Sequence, residues 1–383
     1  MTEPKIRFKK SDGSSYPDLS KKLIKDVMEE RHELSILSDN LPQLSFTIED
    51  GVIKPEDKKT NKRDFLIKDK ATKKFAVTEF NDIIYNPANI KFGAIHRNKL
   101  GRGGVSPIYA IFKPKENPAY LEAYVQRKTF IASSMKYLEG TVEKLKSLKP
   151  NDFLKLEINL PCSEEQEEIV KFLNELDNTI KACEDEVHNL AKLKKGVMQS
   201  VFSQSVRFKD ENNNNYEDWV EKKLGDCCNY SSSSLTISDA IDNGESPIYD
   251  AQNKIIGYYK KSKNDEFIGI IKDGSGVGRV HIIPSGSYCL GTMGMLTPKD
   301  GVNLRWLHKT LQHINWERYI IGGAIPHIYY KDYSSEKIKV PCLDEQIKIA
   351  ELFDAFDVAI NEANNELTMY KKLKRGILQQ MFI

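Results

Sequence analysis

The glycine run Gly274-Ser-Gly-Val-Gly278 is one stretch of this chain whose residue types suggest chemistry, because closely spaced glycines let backbone N–H groups close around a phosphate. No Gly-Lys-Ser/Thr follows and the GxGxxG spacing is not met, so a turn between two strands is the better reading. The seven histidines form no HExxH or HxH arrangement, which argues against a metal hydrolase. Pro17-Asp18 with Glu56-Asp57-Lys58 sketches the acid set of a metal-dependent nuclease. Glu56, however, sits in a charged run and not in an apolar strand. Asn86-Pro87-Ala88-Asn89 comes nearest to the Asn/Asp-Pro-Pro-Tyr/Phe tetrapeptide of the amino-methyltransferases, and misses its last two positions. The six cysteines (162, 183, 227, 228, 289 and 342) form no CxxC pair, as neither structural zinc nor a secreted disulfide framework would leave them. No catalytic or metal-ligating constellation survives, and we expect none.

The elements that would position binding residues are more informative. The chain has 383 residues, 40% hydrophobic and 29% charged, enough for two or three domains. No apolar run approaches the length of a membrane span, and MTEPKIRFKK has no apolar core, so a cytoplasmic protein without a membrane partner is expected. The net charge of +2 is uneven: residues 1–160 carry 30 Lys/Arg against 22 Asp/Glu, while 206–340 balance at 17 each. A basic excess of this size suits a polyanion but suits a solubilising surface equally.

Internal repetition organises the chain. Residues 161–203 lie over 341–383 without a gap, with 14 of 43 positions identical, including Pro161/Pro341, Glu165/Glu345, Gln166/Gln346 and Gly196/Gly376. A second echo sets 6–22 over 206–222. The order is lead-in segment, variable block, helical segment, then the same again, a tandem duplication. In the first helical segment Ile169, Leu173, Leu176, Ile180, Cys183, Val187 and Leu190 follow alternating steps of four and three. Ile349, Phe353, Phe356, Ile360, Ala363, Leu367 and Tyr370 keep the same phase in the second. This is a heptad seam. Ser163 or Asp344, with Gln166 or Glu345-Gln346 in the first turn, is a helix start. About 38 helical residues at ~1.5 Å each span roughly 57 Å. The seams are expected to pack on each other within the chain, a partner's helices being the alternative, and Gly196 and Gly376 to mark a close helix approach, with a kink or a helix end as the other reading.

The variable blocks read as mixed α and β. FAVTEF (75–80), DIIYN (82–86) and SPIYAIF (106–112) are strand-like in the first, followed by an amphipathic stretch from Ala119 to about Leu138. The second has PIYDA, IIGYY, FIGIIK, VHIIP and MGMLTP, then an amphipathic stretch from Leu304 to Tyr319. In both, a strand ends on proline (Pro114, Pro298) and a helix comes next. DENNNNYED (210–218) and the serine run 231–234 read as loops. The expected fold is therefore α+β: modules at 1–160 and 206–340, separated by two long antiparallel coiled-coil helices at 161–205 and 341–383, as a pseudo-twofold tandem duplication.

Two unlike modules held apart by like helices suit a reader of something periodic, and DNA presents its groove again every 34–36 Å or so. At this point the layout resembles the specificity subunit of type I restriction–modification enzymes. The match is carried by Pro161-Cys-Ser-Glu-Glu-Gln166 and Pro341-Cys-Leu-Asp-Glu-Gln346, and by the helix ends LKKGVMQSVF and LKRGILQQMF. Tyr216-Glu-Asp-Trp219, Leu224-Gly-Asp226 and Gly322-Gly-Ala-Ile-Pro-His-Ile328 are similar to the family in the second module. Asn86-Pro87, Gly93-Ala94-Ile95 and Gly104-Val-Ser-Pro-Ile-Tyr109 are so in the first. Leu19 where the second unit has Trp219, and Ile325 where many relatives carry glutamine, are departures.

The resemblance implies a non-catalytic subunit that reads an asymmetric bipartite target in double-stranded DNA, one half-site per recognition domain, with the helices as ruler. It implies two methyltransferase subunits acting on adenine with S-adenosylmethionine, and motor–nuclease subunits using ATP and Mg²⁺, with no cofactor or metal bound by this chain. The expected DNA contacts are polar and basic residues on glycine-rich or irregular stretches: Lys91, Arg97, Asn98, Lys99 and Arg102 in the first module, and Lys254, Lys272, Ser275, Arg279 and His327 in the second. A coiled-coil scaffold whose globular blocks bind proteins is the rival reading.

Overall fold

The computed structural model describes residues 4–58, 72–138, 147–262 and 264–382. By packing, the chain divides into two compact units, one of residues 1–183 with 366–383 and the other of residues 184–365. This partition differs from the four expected segments, because each module takes half of each long helix into its own core.

In the first unit a four-stranded antiparallel sheet is formed by β1 (Met28–Glu30), β2 (Ile83–Tyr85), β3 (Ile95–Arg97) and β4 (Ala110–Pro114), in the order β1-β4-β2-β3. Its two central strands carry short, uninterrupted apolar runs, Ile83-Ile84-Tyr85 and Ala110-Ile111-Phe112, because both faces are covered there. Ile83 and Tyr85 point into a core with Phe112 and Phe153, whereas Ile84 points to the other face with Phe46, Val52 and Ile111. After Pro114 come α1 (Pro118–Val125) and α2 (Lys128–Ser134). The stretch expected as one amphipathic element is thus two helices, and a 3₁₀ turn at Met135–Tyr137 ends it. The break falls at Gln126-Arg127, where Gln126 donates to the Ile95 carbonyl and the Arg127 guanidinium to the Tyr124 carbonyl, closing the first helix. The strand expected over 106–112 begins only at Ala110, because Ser106–Tyr109 is a turn closed by a Tyr109 N–H bond to the Ser106 carbonyl.

The second unit repeats the plan. Its sheet is β5 (Cys228–Ser232), β6 (Phe267–Ile271), β7 (Val280–Ile283) and β8 (Met293–Pro298), in the order β5-β8-β6-β7, all antiparallel. Helix α3 (Leu304–His313) follows, then a 3₁₀ turn at Trp316–Tyr319 capped by Asn315, so the stretch from Leu304 to Tyr319 is also interrupted. Ser231 and Ser232, expected in a loop, pair with Met295 and Gly294 as the end of β5: ladder hydrogen bonds override serine's turn preference. In each unit a two-stranded ribbon joins the lead-in to the segment before the long helix, Ser20–Leu23 with Glu157–Leu160 and Val220–Lys223 with Lys337–Val340.

The long helices are Ser163–Phe202 and Leu343–Met381. Within each unit they run antiparallel, tied by Lys374–Asp177 in the first and Lys194–Asp357 in the second. Ile169, Leu173 and Leu176 are buried in the first unit, and Ile349 and Phe353 in the second; Ile180, Val187, Leu190, Phe356, Ile360, Leu367 and Tyr370 are half-buried. Fully burying one such side chain contributes about 1.5–3 kcal/mol. Gly196 and Gly376 do not mark a close approach: a Cβ at either would meet nothing within 4 Å.

Candidate nucleic-acid interface

What fastens each module to its helix is the repeated Glu-Gln pair. Glu165 and Glu345 are buried, and each receives an arginine from the lead-in segment: Arg7 at 2.5 and 3.1 Å, Arg207 at 2.8 and 3.3 Å. The hydrogen bond to Glu165 raises the pKa of Arg7, and that to Glu345 does the same for Arg207, so both stay charged. In the second unit the Trp219 indole N–H also donates to Glu345, at 2.9 Å. Gln166 and Gln346 are equally buried. Each donates to the proline carbonyl five residues back and accepts from the N-cap asparagine of the module helix, Asn117 N–H at 3.3 Å and Asn303 N–H at 2.7 Å. The helix-start reading missed this tertiary use. The signal was in the sequence, since Arg7 and Arg207 occupy equivalent places in the 6–22 and 206–222 echo.

In the second unit the turn between β6 and β7 holds Lys272, Ser275 and Arg279. Gly274, Gly276 and Gly278 all have φ near +90°, which only glycine adopts without strain. The Arg279 guanidinium folds back on the carbonyls of Gly276 and Ser275, at 3.3 and 3.2 Å. A second tight loop, closed by reciprocal hydrogen bonds between Ile321 and His327, lies against this turn. Gly274 N–H donates to the Pro326 carbonyl at 2.9 Å and Ile328 N–H to the Lys272 carbonyl at 3.0 Å. Lys272, Ser275, Arg279 and His327 are therefore brought together on two adjoining loops. Ile325, 68% exposed, stands at the tip of the second. Lys254 lies on another hairpin, where Asp250 caps its backbone N–H at 2.9 Å.

In the first unit the equivalent turn, between β2 and β3, is Asn86–Ala94. Asn86 accepts from Ala88 N–H at 3.0 Å, Gly93 has φ +84°, and Lys91 stands 5.1 Å over the exposed Phe92 ring. Arg97, Asn98, Lys99 and Arg102 lie at the other end of β3, so the structure does not bring them together with Lys91. They also meet groups of their own chain. Arg97 and Lys99 pair with Glu122 at 3.2 and 3.1 Å, and Arg102 pairs with Glu33 and Glu79. Asn98 is wholly buried, its amide donating to Thr78 Oγ1 and the Gly101 carbonyl and accepting from Leu100 N–H. An amide so satisfied builds the turn around it.

Among the described residues no group of three or more His, Cys, Asp or Glu is placed to hold a metal ion, and no helix is long and apolar enough to cross a membrane. The site offers backbone, hydroxyl, ammonium and guanidinium donors on loops at a sheet end, equipment for contacting phosphates and base edges.

Comparison with known proteins agrees with this equipment. Residues 24–190 and 216–369 each match the model of the type I restriction modification DNA specificity domain. A putative type I restriction enzyme MjaX specificity subunit of Methanocaldococcus jannaschii is 29% identical over 289 residues, 70% of this chain and 67% of that protein. The EcoprrI specificity subunit of Escherichia coli is 28% identical over 110 residues, 28% of this chain and 27% of that one. In fold, the S subunit of a type I restriction–modification system from M. genitalium superposes with a TM-score of 0.60 at 15% identity, covering 100% of this chain and 99% of that one. A chain from a structural study of type I R-M complex assembly and conformational transition gives 0.55 at 16% identity, covering 96% and 98%. With both of its halves matching that domain, the chain belongs to the family of type I restriction–modification specificity subunits and carries two target-recognition domains.

Proposed function

We propose that this chain is the non-catalytic DNA-reading subunit of its system, taking one half-site on each module and holding two methyltransferase subunits in place. The observation that carries the reading is the contrast within the duplication. The Arg–Glu and Gln–Asn fastenings are the same in both units, while the turns at the equivalent sheet end differ throughout, Asn86–Ala94 against Lys272–Arg279. A duplicated frame with unlike tips suits an asymmetric bipartite target, and helices of 40 and 39 residues suit a ruler.

Partner docking has support of its own. Gly196 lies in an open apolar cleft with Leu193, Val197 and Val206, and Leu373, Gly376, Ile377 and Ile6 occupy the equivalent positions in the first unit. Leu193, Val206, Leu373 and Ile6 are all exposed. The same patch twice suits the same partner twice, two methyltransferase subunits. In this reading S-adenosylmethionine binds those subunits, ATP and Mg²⁺ bind motor–nuclease subunits, and this cytoplasmic chain supplies the hold on the duplex while the target adenine is flipped.

The test is a methylome by long-read sequencing in a methylation-free host, comparing this chain, a compatible methyltransferase subunit, and the two together. A new bipartite adenine motif in the pair alone is expected. Methylation by this chain alone would overturn the non-catalytic reading, and no motif with no complex would favour the protein-binding scaffold.

A further inference from the structure

The two units differ at one place where the duplication predicts likeness. Asn117 and Asn303 cap equivalent helices and touch equivalent glutamines, so α1 and α3 align residue for residue, Ala119 with Arg305 and Ala123 with Lys309. On the long helices Asn174 is the counterpart of Asp354, and Asp177 of Asp357. In the second unit Lys309, 2% exposed, bridges Asp354 and Asp357 at 2.7 Å each, and Arg305 adds a contact to Asp354 at 3.7 Å. Burial pushes the Asp357 carboxyl up, but hydrogen bonds from Lys194 and Lys309 outweigh it and hold it below the usual carboxylate range. The Lys309 side chain is thus buried between the module helix and the long helix.

In the first unit the two long side chains are alanines and one carboxylate is an amide. Asp177 has Lys374, but among the described residues no cation of α1 pairs with it, and a groove of about 450 Å³ remains, within the range of small-molecule sites. Its floor is apolar: Ala119, Ala123, Val170, Leu173, Leu378 and Phe382. Six cationic side chains line it against two carboxylates, Glu122 and Asp177. Those carboxylates are engaged by Arg97, Lys99 and Lys374, and Arg127 stacks on the Tyr124 and Phe382 rings. Lys128 and Arg375, both exposed on the lining, have no ion pair among the described residues. An apolar floor beneath a cationic edge selects one chemistry.

We propose that this groove is a binding site for an organic anion with an apolar body, its acid group toward Lys128 and Arg375 and its body on the alanine floor. It goes beyond DNA reading and does not depend on it. The test is titration of the full chain with 8-anilino-1-naphthalenesulfonate and, in parallel, with the neutral N-phenyl-1-naphthylamine, by fluorescence and calorimetry. The expected result is one saturable site per chain for the anion, weakened at least tenfold by A123K/N174D, which gives the first unit the cation and carboxylate of the second. K128A and R375A should each weaken the anion about threefold or more and leave the neutral probe within twofold. Both side chains are exposed, so these variants decide the matter if the double variant fails to fold. Binding unaffected by a folded A123K/N174D, or equal loss of both probes in K128A and R375A, would overturn the proposal. So would loss of the site on assembly with the methyltransferase subunit, which would make the occupant a protein segment. A chain that fails the methylome test but binds the anion leaves this inference standing.

Discussion

Removing Arg207 should unfasten the second module at a cost that the structure lets one work out. Glu345 is fully buried and its charge is met by two hydrogen bonds from Arg207 and one from Trp219. In Arg207→Ala the carboxylate keeps only the neutral indole donor. Breaking a buried ion pair from one side costs about 3–5 kcal/mol. The Arg207 side chain is 19% exposed, so water enters its place and the low end, about 3 kcal/mol, applies. Trp219, Trp306 and Trp316 are the three tryptophans of the chain and all belong to this unit, so tryptophan fluorescence during urea unfolding reports on it alone. With an m-value of roughly 2 kcal/mol per molar urea, the midpoint should fall by about 1.5 M. The double variant R207M/E345M removes the stranded charge and should recover most of the loss, leaving about 1 kcal/mol for the unpaired indole N–H. A midpoint shift under about 0.3 M, or a double variant no better than the single one, would refute the reasoning.

Three further outcomes are expected. His308 is buried, and desolvation chiefly, with the neighbouring Lys309 charge, pulls its pKa down to about 4. Because the folded pKa lies below the ordinary 6.5, stability is full above pH 6.5 and falls as pH drops toward 4, by up to about 3 kcal/mol; fluorescence-monitored urea unfolding across that window should show the slope, and H308L should flatten it. Gly196→Ala and Gly376→Ala, with open space around the added Cβ, should each raise the stability of the free chain by up to about 1 kcal/mol, seen as a higher thermal midpoint, while weakening co-purification with the methyltransferase subunit. Lys272→Ala and Arg279→Ala should relax or change only the second half of the methylated motif, and each lost phosphate contact should lower the log–log salt slope of duplex binding by about one.

The heptad spacing from Ile169 to Leu190 and from Ile349 to Tyr370 is a local periodic signal; the helices expected over 161–205 and 341–383 form over Ser163–Phe202 and Leu343–Met381. The strand runs at 75–80, 82–86 and in the second block were legible for the same reason, since apolar stretches bounded by turns need no distant information. The two interrupted amphipathic stretches were not legible, because their breaks depend on where Gln126 finds the Ile95 carbonyl and where Asn315 caps a new turn. Nor was the division of the candidate DNA contacts. Lys91 and Arg97 are six positions apart in sequence but sit at opposite ends of β3, a separation that exists only once the strand is paired.

Gly196 and Gly376 show the limit from the other side: their repetition was visible, but whether a neighbour fills the space beside them is a tertiary fact, and none does. What the chain alone determined is what repeats: the duplicated order, the helices, and the Glu-Gln pairs with their two arginines. Identical local sequences fold alike, and alignment of the halves exposes them. What only the tertiary structure decided is which charges are already met. Glu122 takes Arg97 and Lys99, Glu33 and Glu79 take Arg102, and Lys309 is buried against two carboxylates in the second unit where the first has Ala123 on an open groove. An ion pair depends on distances between segments far apart in the chain, and those distances come from packing, not from residue type.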